Sequence, residues 1–235
     1  MISIVTCTNR SKQMNNVFYN YARQKWKEKE LIVVLNGDDM DIKEWQRKAK
    51  LFPNIKVYQL ASHKTLGECL NFAVTQSTHE IIAKFDDDDY YSPYYIPQAM
   101  AIFQEKQADI VGKKKVFTYF QRHQKLGIRK GTLPIAGPTI MFRKKVFNQV
   151  QFPKRNRGED GGFLKEAKKK FKIYESNPYN FVYIRSNNKN HTWQASNKRL
   201  MKKCFNLRKT SDYIPLILQA LPTSKKVSIV EKEEE

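Results

Sequence analysis

Short apolar segments separate longer, mixed segments along the first part of the chain. They occupy residues 2–7, 31–35, 55–60 and 81–85 and are rich in β-branched side chains. Near-continuous apolar runs of this length are typical of strands that are buried on both faces. The pattern therefore predicts four strands in the interior of a sheet.

The segments between these strands have the spacing of amphipathic helices, with apolar side chains three or four positions apart. Ser11 and Asp41 precede two of these stripes and are predicted N-caps. Strands and helices alternating in this order predict an α/β fold with a parallel sheet and right-handed crossovers. The stripes are Met14, Val17, Phe18 and Tyr21; Ile42, Trp45, Ala49 and Phe52; and Leu66, Leu70, Ala73 and Val74.

The second half of the chain is less regular. Residues 109–120 and 139–143 are apolar enough to predict strands, with basic loop segments between them. Pro93 is expected to open a helix after the fourth strand. A further amphipathic helix is predicted by Phe163, Leu164, Ala167 and Phe171.

The last part of the chain carries weaker patterns. Basic segments, a short apolar helix at 213–221 and an acidic tail follow residue 193. A tail with so few apolar residues cannot offset the entropy lost on ordering. We predict a main domain at 1–195, followed by a basic helical extension and a charged, mobile tail at 196–235.

The composition is that of a globular protein, with 40% hydrophobic and 12% aromatic residues. No apolar run approaches the roughly 18 residues of a transmembrane helix, and the amino terminus lacks the pattern of a signal peptide. Three cysteines, Cys7, Cys69 and Cys204, are too widely spaced for a disulfide framework or a zinc cluster. We predict a cytoplasmic protein.

The net charge is unusual. Lys and Arg number 43 and Asp and Glu 23, which gives +20 for 235 residues. Such a field attracts nucleic acid, anionic lipid head groups, or acidic and phosphorylated molecules. A solubilising surface explains the same charge. The charge alone therefore names no partner, and peripheral contact with the inner face of the membrane is one option.

Four aspartates follow the fourth apolar segment in the sequence FDDDDYYSP, at residues 86–89. Ligands of open parallel sheets bind at the carboxyl ends of the strands, which is where this cluster falls. Adjacent carboxylates repel one another, and Mg²⁺ or Mn²⁺ is the natural compensating cation. The alternative is a solvated acidic turn at the start of a helix. In a chain with this excess of positive charge, we favour the cation.

Six motifs follow one another along the chain: TCTNR, VLNGDD, TLGECLNFAV, FDDDDYYSP, GPTIMFRKKVF and RGEDGGFL. In this order they resemble the family-2 glycosyltransferases, nucleotide-sugar-dependent enzymes with the GT-A fold. FDDDDYYSP is similar to the family's D-x-D segment, and RGEDGGFL is similar to its E-D motif. The resemblance covers residues 1–195 and predicts a Rossmann-like, mostly parallel sheet with flanking helices. It implies a role in bacterial envelope, capsule or spore-surface polysaccharide synthesis.

By this resemblance, a group of side chains at the strand ends contacts the nucleotide. Asn36 stands where the family usually has an Asp that accepts a hydrogen bond from uracil. Because an amide both donates and accepts, this departure leaves the base open, with uridine favoured. A solvated surface position explains Lys64 equally well. The nucleotide-contacting candidates are Thr6, Thr8, Arg10, Asn36, Asp38, Lys64, Asp86 and Asp87.

The resemblance also implies a divalent cation, Mn²⁺ or Mg²⁺, on the donor diphosphate. Asp86 and Asp88 are its expected ligands, Asp88 being the stronger candidate. His191, in a polar loop beyond the main domain, is a further candidate ligand, and a surface-loop histidine is the alternative. The cation would act as a Lewis acid on the leaving group.

Glycosyl transfer with inversion requires one base that deprotonates the acceptor hydroxyl. By the resemblance, Asp160 of RGEDGGFL is that base, and Glu159 orients the acceptor. The alternative for Asp160 is an N-terminal helix cap. Both roles are compatible with each other.

We therefore predict a metal-dependent inverting glycosyltransferase that uses a nucleotide-diphosphate sugar, UDP favoured, and a glycan or anionic cell-surface acceptor. One alternative is a basic polyanion- or nucleic-acid-binding protein, which we disfavour because no such motif is present and the aspartates repel phosphate. Others are a metal-dependent nucleotidyltransferase, whose usual glycine-rich loop is missing from TCTNRSKQ, and a degenerate transferase that binds sugars without turnover. The donor sugar, the acceptor and the oligomeric state are not readable from the sequence.

Overall fold

The computed structural model of the protein describes residues 1–186 and 195–220. Its helices are α1 (Met14–Ala22), α2 (Ile42–Ala49), α3 (Leu66–Gln76), α4 (Tyr95–Lys106), α5 (Lys144–Phe147), α6 (Glu159–Ala167), α7 (Asn197–Met201) and α8 (Ile214–Ile217). Its strands are β1 (Ile2–Thr8), β2 (Lys29–Asn36), β3 (Ile55–Leu60), β4 (Ile81–Lys84), β5 (Tyr90–Tyr91), β6 (Ile110–Lys113), β7 (Lys115–Phe120), β8 (Lys125–Lys130), β9 (Met141–Arg143), β10 (Ile173–Ser176), β11 (Phe181–Arg185) and β12 (Cys204–Lys209).

A seven-stranded sheet forms the centre of the molecule, in the order β10-β6-β9-β4-β1-β2-β3. The four strands β4, β1, β2 and β3 are parallel, whereas β9 runs antiparallel to both of its neighbours. The carboxyl ends of the four parallel strands therefore lie along one edge of the sheet, and the predicted α/β fold is confirmed.

Both faces of this sheet are covered, which explains the apolar strands. In β1, Ile4 packs into a core with α1, α2 and α4, while its neighbour Val5 packs into a second core with α3 and α6. Alternate side chains of a strand point to opposite faces, so a strand covered on both sides needs apolar residues at every position.

Of the two predicted helix N-caps, one is confirmed by the structure and the other is wrong. Asp41 caps α2, because its side chain accepts a hydrogen bond from the amide of Glu44 at 3.1 Å. Ser11 does not cap α1. It begins a short 3₁₀ turn that leads into the helix, and no side chain caps α1 at Gln13.

A second sheet has five strands in the order β12-β8-β7-β11-β5. The chain passes from the first sheet into the second along the segment β6–β7. The single strand predicted at 109–120 is therefore two strands that belong to different sheets and separate at Lys114. The region beyond residue 195 is not purely helical, because β12 pairs with β8 along the sheet edge. The division at 195/196 itself stays a prediction.

The third apolar core lies between the second sheet and α8, where Ile217 is fully buried against Tyr90 and Tyr119. The longest described helix, α4, has 12 residues, and none of the described helices is both long and apolar enough to cross a bilayer. All three cysteines are free thiols. The predicted tail falls largely outside the described residues.

Candidate active site

The acidic run follows β4 directly and lies beside the end of β1. The backbone of Phe85 donates to the carbonyl of Val5 at 3.0 Å, and β1 continues three residues further to Thr8. The end of β1 thus forms one wall of the site, and the segment 86–89 lies against it. Parallel pairing of strands from distant parts of the chain creates this contact.

Thr8 and Arg10 hold two of the four aspartates. The hydroxyl of Thr8 donates to Oδ2 of Asp87, and Nε of Arg10 donates to the same oxygen at 3.1 Å. A second nitrogen of Arg10 contacts Asp88 at 2.9 Å. Burial raises the pKa of Asp87 to about 6, although the charge of Arg10 opposes this rise. One guanidinium therefore compensates two adjacent carboxylates.

Lys84 connects the acidic run to Asp160, which is 76 residues further along the chain. Its Nζ lies 2.6 Å from Asp86 and 3.2 Å from Asp160, and its side chain is only 3% exposed. Burial acts to lower the pKa of Lys84, but the carboxylates of Asp160 and Asp86 outweigh it and raise the pKa well above its ordinary value. Lys84 is therefore a buried cation between two carboxylates.

Asp160 lies in the first turn of α6, after Gly158, which adopts a left-handed conformation with φ of 74°. Burial raises the pKa of Asp160, while the charge of Lys84 opposes the rise. Its Oδ1 has no hydrogen-bond partner among the residues that the structure describes. Asp160 is inside the helix and makes no side-chain cap. Asp160 is therefore not the N-cap of α6, a position that Gly158 occupies.

Two neighbours of Asp160 complete this part of the site. Glu159 is 7% exposed, and burial, followed by the charge of Asp160, raises its pKa to about 7. On the other side, a Cβ added to Gly137 would lie 2.0 Å from Oδ2 of Asp160. Only glycine at 137 leaves room for the carboxylate in this position.

Backbone contacts hold the acidic run in shape. Nδ2 of Asn16 donates to the carbonyls of Asp87 and Asp89 at 2.8 and 2.9 Å. The hydroxyl of Tyr91 accepts from the amide of Asp86 at 2.8 Å and donates to the carbonyl of Pro138 at 2.7 Å. Tyr91 therefore joins the acidic run to the segment that contacts Asp160.

The side chain of Asp89 contacts the second sheet. It is 1% exposed, and its Oδ1 accepts from the amide of Ile184 in β11 at 2.9 Å. Burial, and then the charge of Asp88, raise its pKa well above the ordinary value. This aspartate connects the two sheets.

The remaining predicted nucleotide contacts lie at the ends of β2 and β3. Asn36 donates to the carbonyl of Ala61 at 3.0 Å, and Asp38 accepts from the amide of Ser62 at 3.0 Å. Lys64 is 43% exposed and pairs with Glu68 at 3.5 Å. These side chains line a second wall along the same sheet edge. None of them contacts the aspartates at 86–89 in the hydrogen bonds and ion pairs of the described chain.

Two other predicted residues have different positions. Thr6 is 2% exposed and lies within β1, two residues before the end of the strand. His191 lies outside the described residues. The structure therefore groups Thr8, Arg10, Asp86, Asp87, Asp88 and Asp160 in one site, with Glu159 beside it.

Asp86 and Asp88 fit a divalent cation by their chemistry. Their side chains are 33% and 18% exposed, and carboxylate oxygens are ligands that Mg²⁺ and Mn²⁺ accept. No group of three His, Cys, Asp or Glu side chains that could hold a metal was found within 1–186 and 195–220. A cation here would take its other ligands from phosphate and water, as Mg²⁺ commonly does.

Sequence analysis missed the residues that connect the site. Lys84 was visible as one lysine in the apolar segment IIAKF, where a buried charge requires a carboxylate partner. Tyr91 and Gly137 carried no comparable signal, because their roles depend on contacts between distant segments. Asn16 lies on the polar side of a predicted helix and likewise gave no sign of its contacts.

Solved structures share this fold. The structure of S. aureus TarS 1-349 in complex with UDP-GlcNAc superposes with a TM-score of 0.69 at 20% identity, covering 83% of this chain and 61% of TarS 1-349. The mannosyltransferase PcManGT of Pyrobaculum calidifontis, solved with GDP-Man and Mn²⁺, gives a TM-score of 0.59 at 14% identity, covering 80% and 57%. The chain thus spans about three-fifths of the length of these two solved chains. The fold class is that of the GT-A glycosyltransferases.

Sequence comparison names the family. The model of glycosyl transferase family 2 matches residues 3–154, and this chain belongs to that family. The O-antigen biosynthesis glycosyltransferase WbnJ of Escherichia coli is 28% identical over 184 residues, which are 71% of this chain and 68% of WbnJ. The chain therefore carries a family-2 glycosyltransferase domain, and the family prediction is confirmed.

Proposed function

We propose that the protein transfers a sugar from a UDP-sugar to a glycan acceptor with inversion, with Asp160 as the base. The contact of Lys84 with both Asp86 and Asp160 carries this proposal. It brings a buried carboxylate from the second half of the chain to the acidic run at the strand ends. A base for the acceptor and a site for the donor phosphates then lie side by side.

The donor nucleotide is proposed to lie across the ends of β1 and β2. Thr8 and Arg10 lie at one wall, and Asn36 and Asp38 lie at the other. Uridine is favoured because TarS was solved with UDP-GlcNAc, although PcManGT was solved with GDP-Man. The carboxamide of Asn36 can serve either base.

Asp86 and Asp88 are the proposed ligands of a Mg²⁺ or Mn²⁺ ion. When bound, the ion neutralises charge on the diphosphate leaving group. Arg10 already pairs with Asp88 and Lys84 with Asp86, so both carboxylates are oriented before any donor arrives.

Asp160 accepts the proton of the acceptor hydroxyl as that oxygen attacks the anomeric carbon. Oδ2 of Asp160 is held by Lys84, and Oδ1 remains to take the proton. A single displacement of this kind, with base and leaving group on opposite sides of the sugar, inverts the anomeric configuration. Glu159 is proposed to orient the acceptor. WbnJ, named for O-antigen biosynthesis, supports a surface polysaccharide as the product.

The Asp160→Asn variant tests this proposal. We expect turnover to fall by at least about 10²-fold. Turnover is measured as the UDP released when a panel of UDP-sugars is offered together with bacterial surface glycans as acceptors. UDP binding, measured by thermal shift, is expected to stay unchanged. The matched control is Glu166→Gln, an exposed residue of the same helix that pairs only with Lys169 among the described side chains. Full turnover in Asp160→Asn would remove Asp160 from the mechanism.

Metal removal tests the cation. We expect Mn²⁺ or Mg²⁺ to increase the thermal shift given by UDP, and EDTA to abolish that increase, because ligand bound only to the folded state raises its stability. In Asp88→Asn the metal-dependent part of the shift should be lost, while the shift with UDP alone remains. An identical shift with EDTA and with metal would show that donor binding needs no cation.

A further inference from the structure

A cavity of about 420 Å³ lies along α6, between this helix and the segment 132–134. Its apolar wall is formed by Leu133 and Pro134, and its floor by glycines of the first turn of the helix, including Gly161. This volume is within the range of small-molecule sites. Because glycines have no side chains, Leu133 and Arg155 approach the helix backbone closely at this point.

Three cations line this cavity, and no carboxylate does. They are Arg155, Lys165 and Lys168. In the part of the chain that the structure describes, none of the three forms an ion pair with an acidic side chain, and the nearby Glu166 pairs with Lys169 instead. Nη2 of Arg155 donates to the carbonyl of Gly158 at 2.6 Å, which fixes the guanidinium over the helix start.

The cavity shares its walls with the site of Asp160. In the segment 133–137, Leu133 lines the cavity and Gly137 contacts the carboxylate of Asp160. In the segment 158–161, Gly158 and Gly161 line the cavity and Asp160 lies between them. The cavity and the proposed base therefore share two segments of the chain, although Asp160 itself does not line the cavity. The proposed donor contacts of Thr8 and Asp38 lie on other segments, which leaves this side of the site for the acceptor.

We propose that this cavity binds an anionic group, phosphate or carboxylate, of the acceptor sugar. This inference rests on the proposed function and adds the chemical class of the acceptor. The lysines and Arg155 compensate the charge, and Leu133 and Pro134 pack against the sugar ring. A neutral sugar would leave three cations without a counter-charge and would gain only the apolar contact.

Isothermal titration calorimetry on the full chain, with saturating UDP and Mn²⁺ present, tests the inference. The probes are glucose 6-phosphate, glucuronate and glucose. We expect at least one anionic sugar to bind about tenfold more tightly than glucose, and the tighter of the two to identify phosphate or carboxylate. In K165E/K168E, which changes two exposed lysines, that binding should weaken at least about tenfold.

The matched control is K27E/K50E, which makes the same change in net charge. Both residues are exposed and precede β2 and β3, at the opposite edge of the sheet. Equal weakening in both variants would show that binding depends on the overall charge, and it would overturn the inference. The inference would also be overturned if glucose bound as tightly as the anionic sugars, or if neither anionic sugar bound. UDP titrated into both variants separates this failure from loss of the donor site, since UDP affinity should be unchanged.

Discussion

Four adjacent aspartates have four different environments, although the sequence presents them as one run. Asp86 is one-third exposed, whereas Asp89 is fully buried and connects the two sheets. Their partners are Lys84 for Asp86, Arg10 for Asp87 and Asp88, and the backbone of Ile184 for Asp89. For Asp87, Asp88 and Asp89, these partners come from distant parts of the chain, whereas Asp86 pairs with Lys84, two residues before it.

A single methyl group at Gly137 should disturb Asp160. In Gly137→Ala the new Cβ would lie 2.0 Å from Oδ2 of Asp160, so the carboxylate has to move. Displacing a reacting group by about 1 Å costs about 10²-fold in rate, and we expect a loss of this size in turnover with unchanged UDP affinity. Steady-state kinetics together with UDP thermal shift measure both effects.

The control for this prediction is Gly131→Ala. An added Cβ there has its nearest neighbour, the carbonyl oxygen of Lys114, at 3.9 Å, which is ordinary contact. This variant should keep the turnover of the parent protein. If both alanine variants were equally active, Gly137 would have no part in positioning Asp160.

At the scale of elements, Glu30 joins β1, β2 and the turn between α3 and β4. Its Oε1 accepts from the hydroxyl of Ser3 at 2.6 Å and from the amide and hydroxyl of Thr78 at 2.6 and 2.8 Å. Burial acts to raise the pKa of Glu30, but these hydrogen bonds and Lys56 outweigh it and lower the pKa. The ionised form is therefore the one that stabilises this corner of the sheet.

Replacing Glu30 should cost stability in a pH-dependent way. Because the pKa is lower in the folded state, the stabilisation is complete above the unfolded pKa and is lost as the pH falls through the folded pKa. We expect Glu30→Gln to lower the free energy of unfolding by about 1–3 kcal/mol at pH 7, and the difference to shrink below pH ~4.

Urea denaturation at pH 7 and at successively lower pH measures this change. Glu105→Gln is the control, because Glu105 is 68% exposed and pairs only with its neighbour Lys106 among the described side chains. It should stay within about 0.5 kcal/mol of the parent protein. A cost for Glu30→Gln that did not vary with pH would show that the charge of Glu30 has no stabilising role.

At the scale of the molecule, the segment after residue 195 completes the second sheet. Strand β12 covers the edge of β8, and α8 places Ile217 in the third core. The amide of Asn180 also donates to the carbonyl of Ile217 at 2.8 Å. The described part of this segment, residues 195–220, is therefore packed on the rest of the chain.

A chain that ends at residue 195 should be less stable than one that ends at residue 220. It loses the burial of Leu200 and Ile217, each worth about 1.5–3 kcal/mol. We expect the free energy of unfolding to fall by about 3–6 kcal/mol, measured by urea denaturation of both chains. Equal stability would show that 196–220 is an appendage that the main domain does not need.

The parallel half of the central sheet could be predicted because its strands carry a strong local pattern. Short continuous apolar runs such as residues 31–35 favour buried strands. In the segments between them, apolar residues recur every three or four positions, which is the spacing of helices. Strands β5, β8, β10, β11 and β12 were not predicted. Strands β8 and β12 contain many basic residues, and five of the six residues of β12 are exposed, so pairing with neighbouring strands decides their conformation.

The sequence by itself determined the α/β class, the family and the acidic run at the end of β4, since these depend on local periodicity and on the order of short motifs. Only the tertiary structure decided which carboxylates meet. Asp160 approaches Asp86 through Lys84 because α6 packs against the central sheet, and Asp89 binds an amide of β11. Residues far apart in sequence set these partners, and burial then sets their pKa values.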